Sequence, residues 1–344
     1  MSTALYRKYR PGSFQDVLGQ DHIVSALKGA LLQDQLAHAY LFAGPRGTGK
    51  TSIARILARE AGSSDNDTHE IDAASNTGVE NIRDLREEVR NLPFESKIKT
   101  YIIDEVHMLS RGAFNALLKT LEEPPAHVVF ILATTELHKV PETIISRCQT
   151  FVFRKPSQEV LHKMITRVAK EEGVGIDKEA TQMIALLGDG SFRDTHGMIQ
   201  RAMSIGGGEI TGEKLSTVLG APRAVLLHKF LHAIVAKDAS AALGAIQEAR
   251  REHMDMKVFV TLALRLVRLA LLSRLAPKDA EAMLQESAQE EQKFVAELGA
   301  KAEPTVLAGI LREFLSAYSQ IDTAAFPELP LELALVKIVG HTGS

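Results

Sequence analysis

The chain has 344 residues, 45% hydrophobic and 24% charged, which fits a globular protein of two or three domains. A net charge of −3 announces no general nucleic-acid binder, so any DNA contact has to come from a local patch or from helix ends. One cysteine excludes an internal disulfide and a cysteine-based zinc site and fits a reducing cytoplasm, and the N-terminal MSTALYRKYRP lacks the apolar run of a signal peptide.

Along the first 150 residues, strand and helix signals alternate. His38 to Ala43 is a short apolar run before a glycine-rich loop. A helix is predicted from about Lys50 to Ala61, with Ile53, Ile56 and Leu57 on one face. A polar break follows at Gly62 to Asp67, then a second strand at Glu70 to Ala73 and a helix from Thr77 to Asn91. Thr100 to Val106 and Val128 to Ala133 are apolar runs of the buried-strand type. Phe114 to Glu122 reads as the helix between them, ended by Pro124 and Pro125, and a last strand is expected at Thr150 to Phe153. Such alternation implies a parallel sheet covered on both faces.

After Pro156 the strand signals stop. Ser157, Asp177 and Ser191 are placed to cap three helices, and Gly206 to Gly208 close the segment. From about Thr211 the pattern stays helical, with Leu226, Phe230, Ile234 and Leu243 spaced for one packed face. Arg265, Arg268 and Arg274 interrupt the apolar stretch Val258 to Leu275, so a buried helix is expected there and not a membrane span.

Two motifs carry chemistry. Gly44-Pro45-Arg46-Gly47-Thr48-Gly49-Lys50-Thr51 matches the phosphate-binding pattern G-x-x-x-x-G-K-[ST], between a strand and a helix. Its backbone N–H groups and the helix N-terminus would close on phosphate oxygens. Lys50 would reach the terminal phosphates of ATP, and Thr51 would bind Mg²⁺. Asp104 and Glu105 end a buried strand beside that loop. Asp104 would hold the Mg²⁺ and Glu105 would orient the attacking water, which makes the expected activity nucleotide hydrolysis.

With Tyr6 to Pro11 (YRKYRP) and Phe14 to Gln20 (FQDVLGQ), these motifs resemble the AAA+ clamp loaders, and more narrowly the gamma/tau subunits of bacterial DNA polymerase III. The likeness is carried by Ile102 to Leu109 (IIDEVHML), Phe114 to Pro125 (FNALLKTLEEPP), Ile144 to Cys148 (IISRC), Ile71 to Ser75 (IDAAS) and Gly190 to Asp194 (GSFRD). It weakens after about Gly220, where the helical pattern and Leu329 to Ile338 remain. The implied fold is an α/β P-loop AAA+ domain with helices on both faces of a parallel sheet (1–154), a small all-α lid domain (155–210) and an all-α collar domain for oligomerisation (211–344).

The resemblance also assigns roles. Thr134 and Thr135 fall at the sensor 1 position, Thr135 being preferred. Arg193 falls at sensor 2, reaching the γ-phosphate of its own subunit with an always-charged fork. Arg7, Tyr9, Pro11, Val17 and Leu18 would line the adenine pocket, against the plainer reading of a basic strap. Arg147 matches an arginine finger acting on the neighbouring subunit. Taken alone it would read as a surface ion pair worth about 0–1 kcal/mol. The lone Cys148 reads as a small packing residue, on the grounds that strand neighbours point to opposite sides.

DNA contacts are expected at Asn76 and Thr77, before a helix, and at Arg111 and Lys119; ordinary capping and a solvated face are the alternatives. Leu92-Pro93-Phe94 is an apolar break that suits either a sliding-clamp contact or a core-facing turn. Expected partners are the other subunits of a ring-like pentamer, the sliding clamp and primer–template DNA, with no membrane and a cytoplasmic location. Relatives carry a four-cysteine zinc module after the phosphate-loop helix. Here Ala61 to His69 holds no cysteine, so no zinc is expected. Nothing matches the later helicase- and polymerase-binding segments of longer relatives, and no polymerase site is legible. The alternatives are a branch-migration type of AAA+ motor and a non-hydrolysing structural subunit.

Overall fold

A computed structural model describes residues 3–75, 78–204, 208–284 and 289–340. Two compact units emerge: Met1–Val168 with Gly188–Gln200, and Ala169–Leu187 with Arg201–Ser344.

In the first unit the elements run α1 (Leu5–Lys8), α2 (Asp21–Leu32), β1 (Ala39–Ala43), α3 (Lys50–Glu60), β2 (Thr68–Asp72) and α4 (Val79–Glu88). They continue with β3 (Lys99–Asp104), α5 (Arg111–Glu122), β4 (Val128–Thr134), α6 (Glu142–Ile145) and β5 (Gln149–Val152). The strands form one parallel sheet in the order β2-β3-β4-β1-β5. Its three central strands are buried on both faces, which is why they read as unbroken apolar runs. The edge strands β2 and β5 are more exposed. That is why β2 starts two residues before the apolar signal at Glu70-Ile71.

Successive side chains point to opposite faces, so each central strand feeds two cores. Leu41, Tyr101, Ile103, Phe130 and Leu132 pack with Leu85 of α4 and Leu117 and Leu121 of α5. Tyr40, Phe42, Ile102 and Ile131 pack with Ile23 and Leu27 of α2 and Ile53, Ile56 and Leu57 of α3. Helix α5 begins three residues earlier than its apolar pattern, because Ser110 Oγ accepts the Ala113 N–H at 3.2 Å.

The segment after the sheet contains α7 (Gln158–Glu171), α8 (Lys178–Leu187) and α9 (Phe192–Met203). The three expected caps are present: Ser157 to Val160 N at 3.3 Å, Asp177 to Ala180 N at 2.7 Å and Ser191 to Asp194 N at 3.2 Å. The expectation of no further strands is corrected by a parallel pair, β6 (Gly175–Ile176) and β7 (Glu209–Ile210). Two residues per strand are too few for a periodic signal. Asp177 holds the pair in place: its N–H donates to Ile210 O and its second carboxylate oxygen accepts the Gly212 N–H.

The second unit continues with α10 (Gly212–Leu219), α11 (Ala224–Val235), α12 (Ala239–Arg251), α13 (Met256–Leu275), α14 (Pro277–Leu284), α15 (Gln289–Lys301), α16 (Pro304–Gln320) and α17 (Leu329–Gly340). Phe230 meets Phe259 edge-on at 5.0 Å and stacks with Phe314 at 5.9 Å. The stretch expected as a buried helix is α13. Arg265 on it pairs with Glu291 at 2.7 Å. Among the described residues no single helix is long and apolar enough to cross a membrane. Leu243 departs from the expected face: it is 36% exposed, and Ala242, Ala245, Ile246 and Ala249 face the core of α12 instead. The break between α11 and α12 resets the helical phase, so a spacing counted through it fails.

Just before β2, Asp67 organises the chain. Its buried carboxylate accepts N–H bonds from Phe94, Glu95 (3.0 Å) and Ser96 (2.9 Å). Burial alone would raise its pKa; the three amide donors outweigh that and hold it well below the usual carboxylate range. The loop fixed this way presents Leu92 and Phe94, 77% and 84% exposed, which rules out a core-facing turn. A carboxyl depressed in the fold stabilises it above the ordinary value of about 4 and loses that contribution as acid approaches the folded value. Asp67→Asn should therefore lower the urea midpoint at pH 7, and the gap from wild type should shrink progressively below about pH 4.

Candidate nucleotide site

The phosphate loop leaves the carboxyl end of β1 and turns into α3. Three of its glycines have positive φ: Gly44 (+151°), Gly47 (+74°) and Gly49 (+99°). At Gly44 a Cβ would lie 2.5 Å from Phe153 O, and at Gly47 it would lie 2.1 Å from Ser191 Oγ. Backbone of the 188–200 segment therefore packs directly on the loop, and the Phe192 N–H donates to Gly47 O at 2.9 Å. Inside the loop Thr48 Oγ1 donates to Pro45 O at 2.8 Å, and at its rim Arg46 pairs with Asp194 at 3.0 Å. The first amides of α3 have no partner within the helix and are available to an anion.

Lys50 is buried, and its ammonium donates to Gly44 O (2.7 Å) and Pro45 O (2.9 Å). Burial pushes its pKa down; the charges of Glu105 and Asp104 oppose this and that of Arg193 adds to it. Thr51 Oγ1 donates to Asp104 Oδ2 at 2.7 Å, and the Glu105 N–H donates to the other Asp104 oxygen at 2.9 Å. A hydroxyl and a carboxylate converging next to the loop are the hard oxygen donors that suit Mg²⁺, so these residues fit that ion.

Glu105 adopts a left-handed backbone (φ +49°), a costly state for a residue with a Cβ. Its Oε2 accepts from the Thr135 hydroxyl at 3.0 Å and the Thr135 N–H at 3.3 Å. Thr134 is fully buried, and its hydroxyl faces His107 Nδ1 at 3.0 Å instead. Of the two sensor candidates, Thr135 touches the acid.

The N-terminal residues pack in part on the 188–200 segment. Tyr9 stacks on His196 at 6.0 Å, Leu5 N donates to Gln200 Oε1 at 3.0 Å, and the guanidiniums of Arg7 and Arg193 lie 5.8 and 5.7 Å from the Tyr6 ring. Val17 packs on the α2–α3 core; Pro11 and Leu18 are half-buried. Arg147 sits in the turn before β5, where it pairs with Glu122 at 2.7 Å and donates to Thr143 O at 2.8 Å. Cys148 shares that turn, so strand alternation does not separate the two; Cys148 packs against the core under β3 and β4, and burial pushes its thiol up to about 12. Arg111 and Lys119 are exposed on α5, and Asn76 and Thr77 lie outside the described residues. Sequence reasoning missed His107, Ser191 as the wedge under Gly47, and Glu122 as the partner of Arg147. His107 and Glu122 lie inside stretches that carry the resemblance, but nothing in the one-dimensional pattern shows what they touch.

A family model described as DNA polymerase III, delta subunit, matches residues 19–77 and 63–157. Another, DNA polymerase III subunits gamma and tau domain III, matches residues 210–343. The DNA polymerase III subunit tau of Bacillus subtilis is 38% identical over 97% of this chain and 63% of its own length. The gamma/tau subunit of Mycobacterium tuberculosis is 32% identical over 98% and 62%. The tau subunit of Escherichia coli is 38% identical over 79% and 46%. The chain thus spans less than two thirds of the length of these relatives. Among solved structures, the Thermotoga maritima RuvB Holliday junction branch migration motor aligns with a TM-score of 0.53 over 66% of this chain and 79% of that one. At 22% identity, that likeness shows a shared fold.

Because Gly47 has both a left-handed backbone and no room for a methyl group, Gly47→Ala should lower nucleotide affinity by about tenfold or more. Titration with a fluorescent ATP analogue measures this, and unaltered affinity would contradict the packing described.

Proposed function

Since the chain belongs to the gamma/tau family of DNA polymerase III subunits, we propose that it is the ATP-hydrolysing motor subunit of a bacterial clamp loader. The observation that carries this reading is the convergence of Lys50, Thr51, Asp104, Glu105 and Thr135 at one sheet edge. A non-hydrolysing subunit has no need of an acid held against a sensor hydroxyl. The fold likeness to a branch-migration motor is shared by AAA+ proteins generally and favours no second reading.

In this scheme the loop amides of 44–51 bind the phosphates, and Lys50 leaves its own carbonyl partners to neutralise them. Mg²⁺, held by Thr51 and Asp104, supplies charge compensation at the phosphate oxygens when bound. Glu105 orients and polarises the attacking water, and Thr135 fixes that carboxylate. Arg193, on the segment that packs on Gly47, senses the terminal phosphate. Arg7, Tyr9, Pro11, Val17 and Leu18 bind the base. Arg147, preorganised by Glu122, completes the site of the next subunit in a ring-like pentamer.

The three-domain division at 154 and 210 remains part of this proposal, with the C-terminal helices as collar. Exposed Arg111 and Lys119 suit the backbone of primer–template DNA, by shape and charge and without base readout. Exposed Leu92 and Phe94 suit the sliding clamp. ATP binding favours the form that holds the clamp open, and hydrolysis on primed DNA releases it.

In the assembled complex, Glu105→Gln should keep ATP affinity and lose turnover by about 10²–10⁴ in steady-state ATPase assays. Arg147→Ala should keep ATP binding and assembly while DNA-stimulated hydrolysis falls by about 10³–10⁵. Full stimulation in that variant would end the in-trans assignment.

A further inference from the structure

The groups around Glu105 point to a residue that no part of the proposed mechanism uses. Met108 N–H donates to Glu105 O at 2.8 Å, closing a single tight turn that carries His107 just beyond the acid. The His107 side chain is 6% exposed and touches three functional neighbours. Its Nδ1 lies 3.0 Å from Thr134 Oγ1 and 3.4 Å from Glu105 Oε2, and its Nε2 lies 3.4 Å from Glu136 Oε1. Those anchors are themselves fixed. The Glu136 N–H donates to Thr134 Oγ1 at 3.0 Å, and Lys139 pairs with the Glu136 carboxylate at 2.8 Å.

We infer that His107 is a positioning residue for hydrolysis: its imidazole, anchored by Thr134 and Glu136, holds the Glu105 carboxylate against Thr135. The inference rests on the role proposed above for Glu105. A glutamate has three side-chain torsions, and Glu105 is partly open to water; its two hydrogen bonds from Thr135 both fall on Oε2 and leave the carboxylate free to pivot about that oxygen. A contact from a second residue on the same oxygen narrows its direction. Imidazole suits the task because its two nitrogens lie on different edges of a rigid ring, so one can face Glu105 while the other faces Glu136. At 3.4 Å the Glu105 contact is longer than a typical hydrogen bond, and catalytic contacts of this kind tighten when substrate binds. Glu105 combines that left-handed backbone with a side chain that meets Thr135 at the end of β4.

The test is steady-state ATPase of the loader assembled with its partner subunits, clamp and primed DNA, with ATP-analogue affinity and thermal midpoint measured alongside. His107→Leu should lower kcat by about 100-fold, the scale for a misplaced catalytic group, with analogue affinity changed by less than about threefold. His107→Asn places an amide where Nδ1 stands and should recover most of the rate. His107→Gln reaches the Nε2 position instead and should stay as slow as the leucine variant. A packing role would rank the variants by volume, with no preference for Asn over Gln. Equal rates for Asn and Gln, or a wild-type kcat in His107→Leu, would overturn the inference. Should the leucine variant unfold, the Asn–Gln contrast still decides. Glu105→Gln in the same assembly separates the two failures: its loss of turnover beside an active His107→Leu removes only the role of His107. Wild-type turnover in Glu105→Gln removes both.

Discussion

The hydrogen bond from Thr51 Oγ1 to Asp104 Oδ2 joins the ends of two strands that are not neighbours. β1 and β3 stand on either side of β4. All three run in the same direction, so their carboxyl ends fall on one edge, and that edge collects the phosphate loop, the acidic pair and the Thr134-Thr135 step. An antiparallel β4 would send Thr134 and Thr135 to the opposite edge. The candidate site depends on this constraint. The sheet can satisfy it because helices cover both faces, letting Tyr40, Ile102 and Ile131 feed one core while Leu41, Ile103 and Leu132 feed the other.

A second constraint is the contact between the phosphate loop and the start of α9. Gly47 has no room for a side chain because Ser191 occupies that space, and the next residue, Phe192, donates its N–H to the loop. Arg193 follows on the same helix. These contacts tie the loop to the turn that bears Arg193. The cap at Ser191 has two uses: it starts α9 by accepting the Asp194 N–H, and it fills the hollow under Gly47.

The chemistry at the sheet edge was largely legible in the chain, and the supports of that chemistry were not. Gly44 to Thr51 and Asp104-Glu105 announce themselves because phosphate binding and metal binding need those residue types at those spacings. His107 and Glu122 do not, because their meaning lies in partners 27 to 29 positions away at Thr134 and Glu136, and 25 away at Arg147. Leu243 failed for a related reason: a helical spacing counted through a loop loses its phase. β6 and β7 escaped because two residues cannot show a period.

The lone cysteine and its neighbour show the same division. The sequence by itself determined that one thiol cannot pair internally, that Arg147 stands in a family motif, and that no cysteine lies between Ala61 and His69. It also determined the alternation of strands and helices from β1 to β4, because burial on two faces writes itself as apolar runs, but not α1, α2 or α6. Tertiary structure alone decided that Cys148 packs against the core, where burial raises its pKa, and that Arg147 is steadied by Glu122. It likewise decided that Asp67 gathers three amides, and that Thr135, not Thr134, faces the acid. Residue type and spacing set what a side chain can do; distance and burial, which exist only after the chain closes on itself, select which of those things it does.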